Sequence, residues 1–167
     1  VWVETVIYTL IGIALIGLVL AILTPKIKEF RDRSVIEQTI ESLNIFDSKV
    51  VDVLDAPGNK RKVTFGLERG VLFIDSMNNT IRYVLDESNV RYSEPGVSLD
   101  IGRINVSTQE LTESYTITLY LSYIYNITFN GKDETMQFTP VSIPYDFFIE
   151  NKGIINSKIW IDITEGN

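Results

Sequence analysis

The sequence predicts an α+β fold, a long N-terminal hydrophobic α-helix followed by an antiparallel, immunoglobulin-like β-sandwich. Three observations predict it. Residues 1–24 carry one side chain charged at neutral pH, Glu4; apolar residues then recur at helical spacing to about residue 44; and from residue 49 the pattern alternates with period two between turn signals. The division falls at 1–48 for the helix and 49–167 for the β-rich domain. At 167 residues, 45% apolar and 22% charged, the chain is long enough for one domain with its own core.

Residues 1–24 form an apolar run that as a helix reaches roughly 36 Å, enough for a hydrocarbon core of about 30 Å. A secretory signal peptide would need a basic start, a shorter apolar run and a small-residue cleavage site, and these are missing. The first residue is Val1 rather than Met, so the expectation is a leader removed in front of it. Small residues stand at Gly12, Ala14, Gly17 and Ala21, and the Gly17/Ala21 pair has the four-residue spacing that lets another helix approach closely. Glu4 has two readings. At a membrane surface it is simply solvated; in a water-poor bundle an unpaired carboxylate costs several kcal/mol and needs a partner, such as the Val1 α-amino group of a neighbouring copy.

Pro25 lacks an amide donor and clashes with the carbonyl four residues back, which predicts a kink or loosening there. Beyond it Ile27, Phe30, Ile36, Ile40 and Leu43 recur mostly at three- and four-residue steps, the pattern of an amphipathic helix. A helix of this length is about 65 Å long, more than so small a domain covers, so its apolar half must be buried by lipid or by other copies.

An acidic residue in the first turn, small residues along an unbroken apolar helix, a proline, an amphipathic continuation and a β-rich remainder together resemble type IV pilins, most closely archaeal ones. The resemblance covers residues 1–43 as an ordered motif. It implies a precursor held in the membrane, a prepilin peptidase that removes the leader, a pilus assembly machinery, and a homo-polymeric filament with these helices at its core. Two departures stand out. The family's acidic residue is usually the fifth of the mature chain whereas Glu4 is the fourth, and Pro25 falls later than in bacterial pilins. The absence of Cys favours the archaeal branch, since bacterial pilins often carry a C-terminal disulfide, and archaellins share the architecture.

In the remainder, segments 62–67, 71–74, 81–85, 97–104, 115–129, 135–139 and 159–163 read as strands. Turn signals at 56–60, 78–79, 94–96, 130–131 and 151–153 separate them, Asn130-Gly131 being the strongest for a hairpin. Seven or more strands at this spacing predict the sandwich. The Tyr/Leu/Ile and Thr/Ser alternation over 115–129 is sheet filler rather than a base-stacking platform. Asn78, Asn105 and Asn126 each begin an Asn-x-Ser/Thr acceptor pattern for N-glycosylation; the bland reading makes them solvent-facing polar positions.

The chain has neither His nor Cys, which removes Cys/His metal sites, Ser-His-Asp triads, redox pairs and disulfide frameworks. Adjacent acids such as Asp86-Glu87 and Asp133-Glu134 fall at turns, and adjacent strand positions face opposite ways, so they do not converge on a substrate. Neither a phosphate-binding glycine loop, a nucleophile elbow nor a calcium loop occurs. The expectation is therefore a non-enzyme without cofactor or metal. A net charge of −7 argues against nucleic acid as a partner. Charge is unevenly placed: residues 25–50 balance five basic against five acidic side chains, residues 51–167 carry −6, and Glu4 supplies the remaining −1. Lys26, Lys28, Arg31 and Arg33 follow the apolar run, and such flanks ordinarily stay in the cytoplasm. A removed basic leader on the other flank reverses that bias, and Glu29 and Asp32 dilute it, which places the β domain outside. The combined expectation is a structural subunit of an extracellular pilus-like filament, serving adhesion or attachment rather than motility and meeting surface glycans. An archaellin, or a single-pass anchored binding domain, is the alternative.

Overall fold

A computed structural model describes residues 1–166 of the chain. Its first element is one continuous helix, α1 (Trp2–Val53), with Pro25 inside it. The expected loosening at Pro25 does not break the helix. Proline there leaves the Ala21 carbonyl without its helical donor, and the Thr24 hydroxyl bonds the Leu20 carbonyl at 2.7 Å on the same turn. The helix also runs past the expected end near residue 44 and past the boundary at 48, because its last turns are part of the core. Ile36, Leu43, Phe46, Val50 and Val53 are all fully buried.

Ten strands follow: β1 (Lys60–Phe65), β2 (Val71–Asp75), β3 (Thr80–Ser88), β4 (Leu99–Ile101), β5 (Ile104–Glu110), β6 (Tyr115–Ser122), β7 (Asn126–Phe129), β8 (Thr135–Phe138), β9 (Tyr145–Ile155) and β10 (Lys158–Glu165). They form a four-stranded sheet in the order β1-β9-β10-β7 and a six-stranded sheet in the order β4-β5-β6-β3-β2-β8. The C-terminal part of α1 packs chiefly on β1 and β9 and also touches β3, β5 and β6, so helix and both sheets share one core. Phe147 joins the three: its ring meets Phe46 of the helix at 6.1 Å and Phe138 of the other sheet at 5.0 Å, both edge-on. The α+β class is therefore as expected.

Four local expectations are corrected. The pairing is not wholly antiparallel, since β10 and β7 run parallel. The single strand expected over 115–129 is two strands in different sheets, split at residues 123–125. Asn79 holds the crossing from both sides, its carbonyl accepting from the Tyr123 amide at 3.0 Å and its side-chain oxygen from the Ile127 amide at 2.8 Å. The expected strand 97–104 divides at the Gly102 turn into β4 and the start of β5, and residues 105–110, not expected as strand, complete β5. Asn151-Lys-Gly153, expected as a turn, lies inside β9, where Trp160 faces Gly153 and Ile161 faces Asn151; Lys152 is left over as a bulge.

Asn130-Gly131 does form a tight turn. Both residues have positive φ (52° and 72°), and Phe129 and Lys132 exchange N–H···O bonds of 2.9 and 3.0 Å. The strands it joins nevertheless diverge into different sheets, and the turn is anchored instead to β10 through the Gly131 amide and the Asp162 carboxylate at 2.7 Å.

Candidate assembly surface

Residues 1–31 of α1 touch little of their own chain. The segment is long and apolar enough to cross a membrane, and none of its apolar window is buried. The stripe anticipated from Ile27 to Leu43 therefore splits: Ile36, Ile40 and Leu43 are buried, whereas Ile27 and Phe30 stay 63% and 74% exposed. Within this stalk the Thr5 and Thr9 hydroxyls bond the carbonyls of Val1 and Thr5 at 3.0 and 2.8 Å. Such back-bonding satisfies hydroxyls where water is absent.

Among the expected assembly residues, Val1, Glu4, Gly17 and Ala21 are exposed, Gly12 is half-exposed, and Pro25 is exposed further along the stalk. A Cβ added at Gly12 or Gly17 would meet nothing within 4 Å. Their lack of a side chain is thus not required by the chain's own packing. Among the described residues Glu4 makes no ion pair.

Where the stalk enters the head, Asp32 is 1% exposed. Its carboxylate accepts from the Arg69 guanidinium, from the Asn89 amide at 2.7 Å and from the Asn89 side chain at 2.7 Å. Burial opposes its charge, but the Asn89 amide and side chain and the Arg69 cation outweigh that and hold the carboxyl below the usual carboxylate range. Arg69 is held in turn, since its carbonyl accepts from the Tyr83 hydroxyl at 2.8 Å, and burial pushes the Tyr83 phenol up to about 12. Gly70 makes this approach possible: its φ is +75°, and a Cβ there would lie 2.5 Å from the Tyr83 oxygen. A second tie joins the head to the helix higher up, where Arg103 bonds Asp47 at 2.8 Å and lies over the Tyr123 ring.

The Asp32 clasp was not anticipated from the sequence, where Asp32 counts only as a charge diluting the basic cluster. A signal was present: 32, 36, 40 and 43 lie on one helical stripe, and an acid on a buried stripe requires partners.

The three asparagines of the Asn-x-Ser/Thr pattern lie apart. Asn78 is exposed in the β2–β3 turn, with its side-chain amide on Asp75 at 2.7 Å; Asn105 is half-buried on β5 and bonds Asp100 at 2.8 Å; Asn126 is half-buried at the start of β7. Among the described residues no group of three or more Asp or Glu is placed to hold a metal ion. Comparison with protein families, with curated proteins and with solved structures finds no match to this chain.

Proposed function

We propose that the chain is a structural subunit of an extracellular, type IV pilus-like filament that polymerises through its N-terminal helix, with a membrane-inserted precursor. The observation that carries this reading is the unburied stalk, residues 1–31, whose first 24 residues form an apolar helix that its own head leaves bare. Apolar area of that extent is stable only against lipid or against other copies.

The sheet edges support the helix as the polymerising element. Edge strand β1 exposes Lys60, Arg61 and Lys62, while β4, β7 and β8 have only three, four and four residues. Short or lysine-bearing edges discourage strand addition between copies. A serial precursor also explains the stalk's composition, because the same surface faces lipid first and sibling helices afterwards. Close packing of those siblings uses Gly12, Gly17 and Ala21, and brings Glu4 near an α-amino group. Attachment to surfaces is the role assigned to the polymer, with the three asparagines as candidate sugar sites on its outside.

Electron cryo-microscopy of the native material tests this. The expected image is a filament with axial helices in its centre, lost in the G17L/A21L variant while the head unfolds at an unchanged denaturant midpoint. Solitary subunits with lipid-covered stalks overturn it, and an isolated subunit that captures a sugar or protein would favour the anchored binding domain.

A further inference from the structure

From the two ends of β9 and β10 we infer a second polymer contact, head to head, in which a protruding hairpin of one copy seats in a groove on the next. This rests on the filament reading above. The β9–β10 hairpin turns through Asn156 and Ser157, both with positive φ, and carries Ile154 (73% exposed), Ile155 and Lys158 at its tip. It lies beyond the C-terminal end of α1, since Asn151, a few residues before the tip, donates to the Val53 carbonyl at 2.9 Å.

The other end of the same two strands faces the stalk. There the loop between β8 and β9 is fastened by the Val141 amide on the Leu67 carbonyl at 3.1 Å, close to the Arg69 clasp. It borders a groove of about 520 Å³ lined by Val141, Ile143 and Glu165 among others, with Ile143 80% exposed. The run 135–144 contains no charged residue after Glu134, in a region that otherwise carries most of the chain's net charge.

Knob and groove are complementary in kind. Apolar Ile154 and Ile155 match apolar Val141 and Ile143, and the tip cation Lys158 matches the groove carboxylate Glu165. Neither charge makes an ion pair among the described residues. The two patches differ and lie at opposite ends of strands that run the length of the head, so a contact between them is heterologous. Such a contact repeats from copy to copy instead of pairing two copies, and in the filament proposed above it runs on along the axis. The occupant of the groove is therefore a second copy of this chain.

The absence of Cys makes the test clean. Residue 143 lies just before the start of β9 and residue 154 near its end, roughly 30 Å along the strand, too far to be bridged within one chain. Full-length I143C/I154C protein, assembled and then treated with a mild oxidant, should give a non-reducing gel ladder of dimers, trimers and longer species, and neither single variant should. Filaments visible by microscopy without a ladder overturn this contact and leave stalk polymerisation standing. No filaments from the unmodified chain overturn both. As a second arm, K158E and E165K should each lower filament yield several-fold and the K158E/E165K exchange should restore it; an exchange no better than its single parents also overturns the contact.

Discussion

Asp32 and Arg69 form an ion pair at the point where α1 leaves the head, and the helix is bare on one side of that pair and buried on the other. The pair thus ties the helix to the head where the stalk leaves it. Because Asn89 supplies two further bonds, the carboxylate is shared between the β1–β2 loop, through Arg69, and the loop after β3, through Asn89.

Replacing Asp32 by Ala should destabilise the detergent-solubilised protein by about 3 kcal/mol, since it strands a cation and two amide donors that were paired in a poorly hydrated site. Urea unfolding followed by circular dichroism measures this. A loss under about 0.5 kcal/mol, the level of an ordinary surface change, would remove the clasp from any account of stability.

The pH dependence follows from the lowered Asp32 value. A carboxyl held below its unfolded value of about 3.9 contributes stability that is complete above that pH and disappears as pH falls through the folded value. Acid titration below about pH 4 should therefore loosen the wild-type head, and D32N should show a flatter profile over the same window. Parallel profiles for the two proteins would assign the acid sensitivity elsewhere, for instance to Asp75, also held low by its bonds from Asn78 and Thr135.

Gly70→Ala should be among the most damaging single-methyl changes in the head. It forces a side chain onto a positive φ and presses it against the Tyr83 hydroxyl and the Val84 carbonyl at 2.5 and 2.6 Å. The expected cost is about 2–4 kcal/mol, against about 1 kcal/mol for Y83F, which removes only the bond to the Arg69 carbonyl. Equal effects in denaturant unfolding would show that the loop yields and the contact is soft.

Legibility in the sequence tracked how local the cause was. The helix and its buried stripe were readable because 3.6-residue periodicity is a property of neighbours. The tight turn at Asn130-Gly131 was readable for the same reason, since positive φ at both residues selects those side chains. The break at 123–125 was not, because Asn79 imposes it from more than forty residues away. Strand β9 was overlooked because Asn-Lys-Gly reads as a turn until β10 is known to lie alongside and absorb Lys152 as a bulge. Among the site residues, the exposed stalk positions were legible from composition, whereas the clasp needs Arg69 and Asn89, which only the fold brings to Asp32.

The acceptor asparagines separate by exposure, and that yields the last expectation. Transfer of a sugar to an asparagine needs the side-chain amide free and its backbone accessible. Asn78 sits exposed in a short turn and gives up only local bonds to Asp75. Asn105 is half-buried between its partners Asp100 on β4 and Tyr120 on β6, and the chain around Asn126 is bound into β7 against β10. Intact-mass measurement on native protein should accordingly find a glycan lost in N78Q, with smaller or no change in N105Q and N126Q. A mass shift confined to N105Q or N126Q would mean that modification precedes folding of the β domain, because the folded sheet shields those two sites more than the turn.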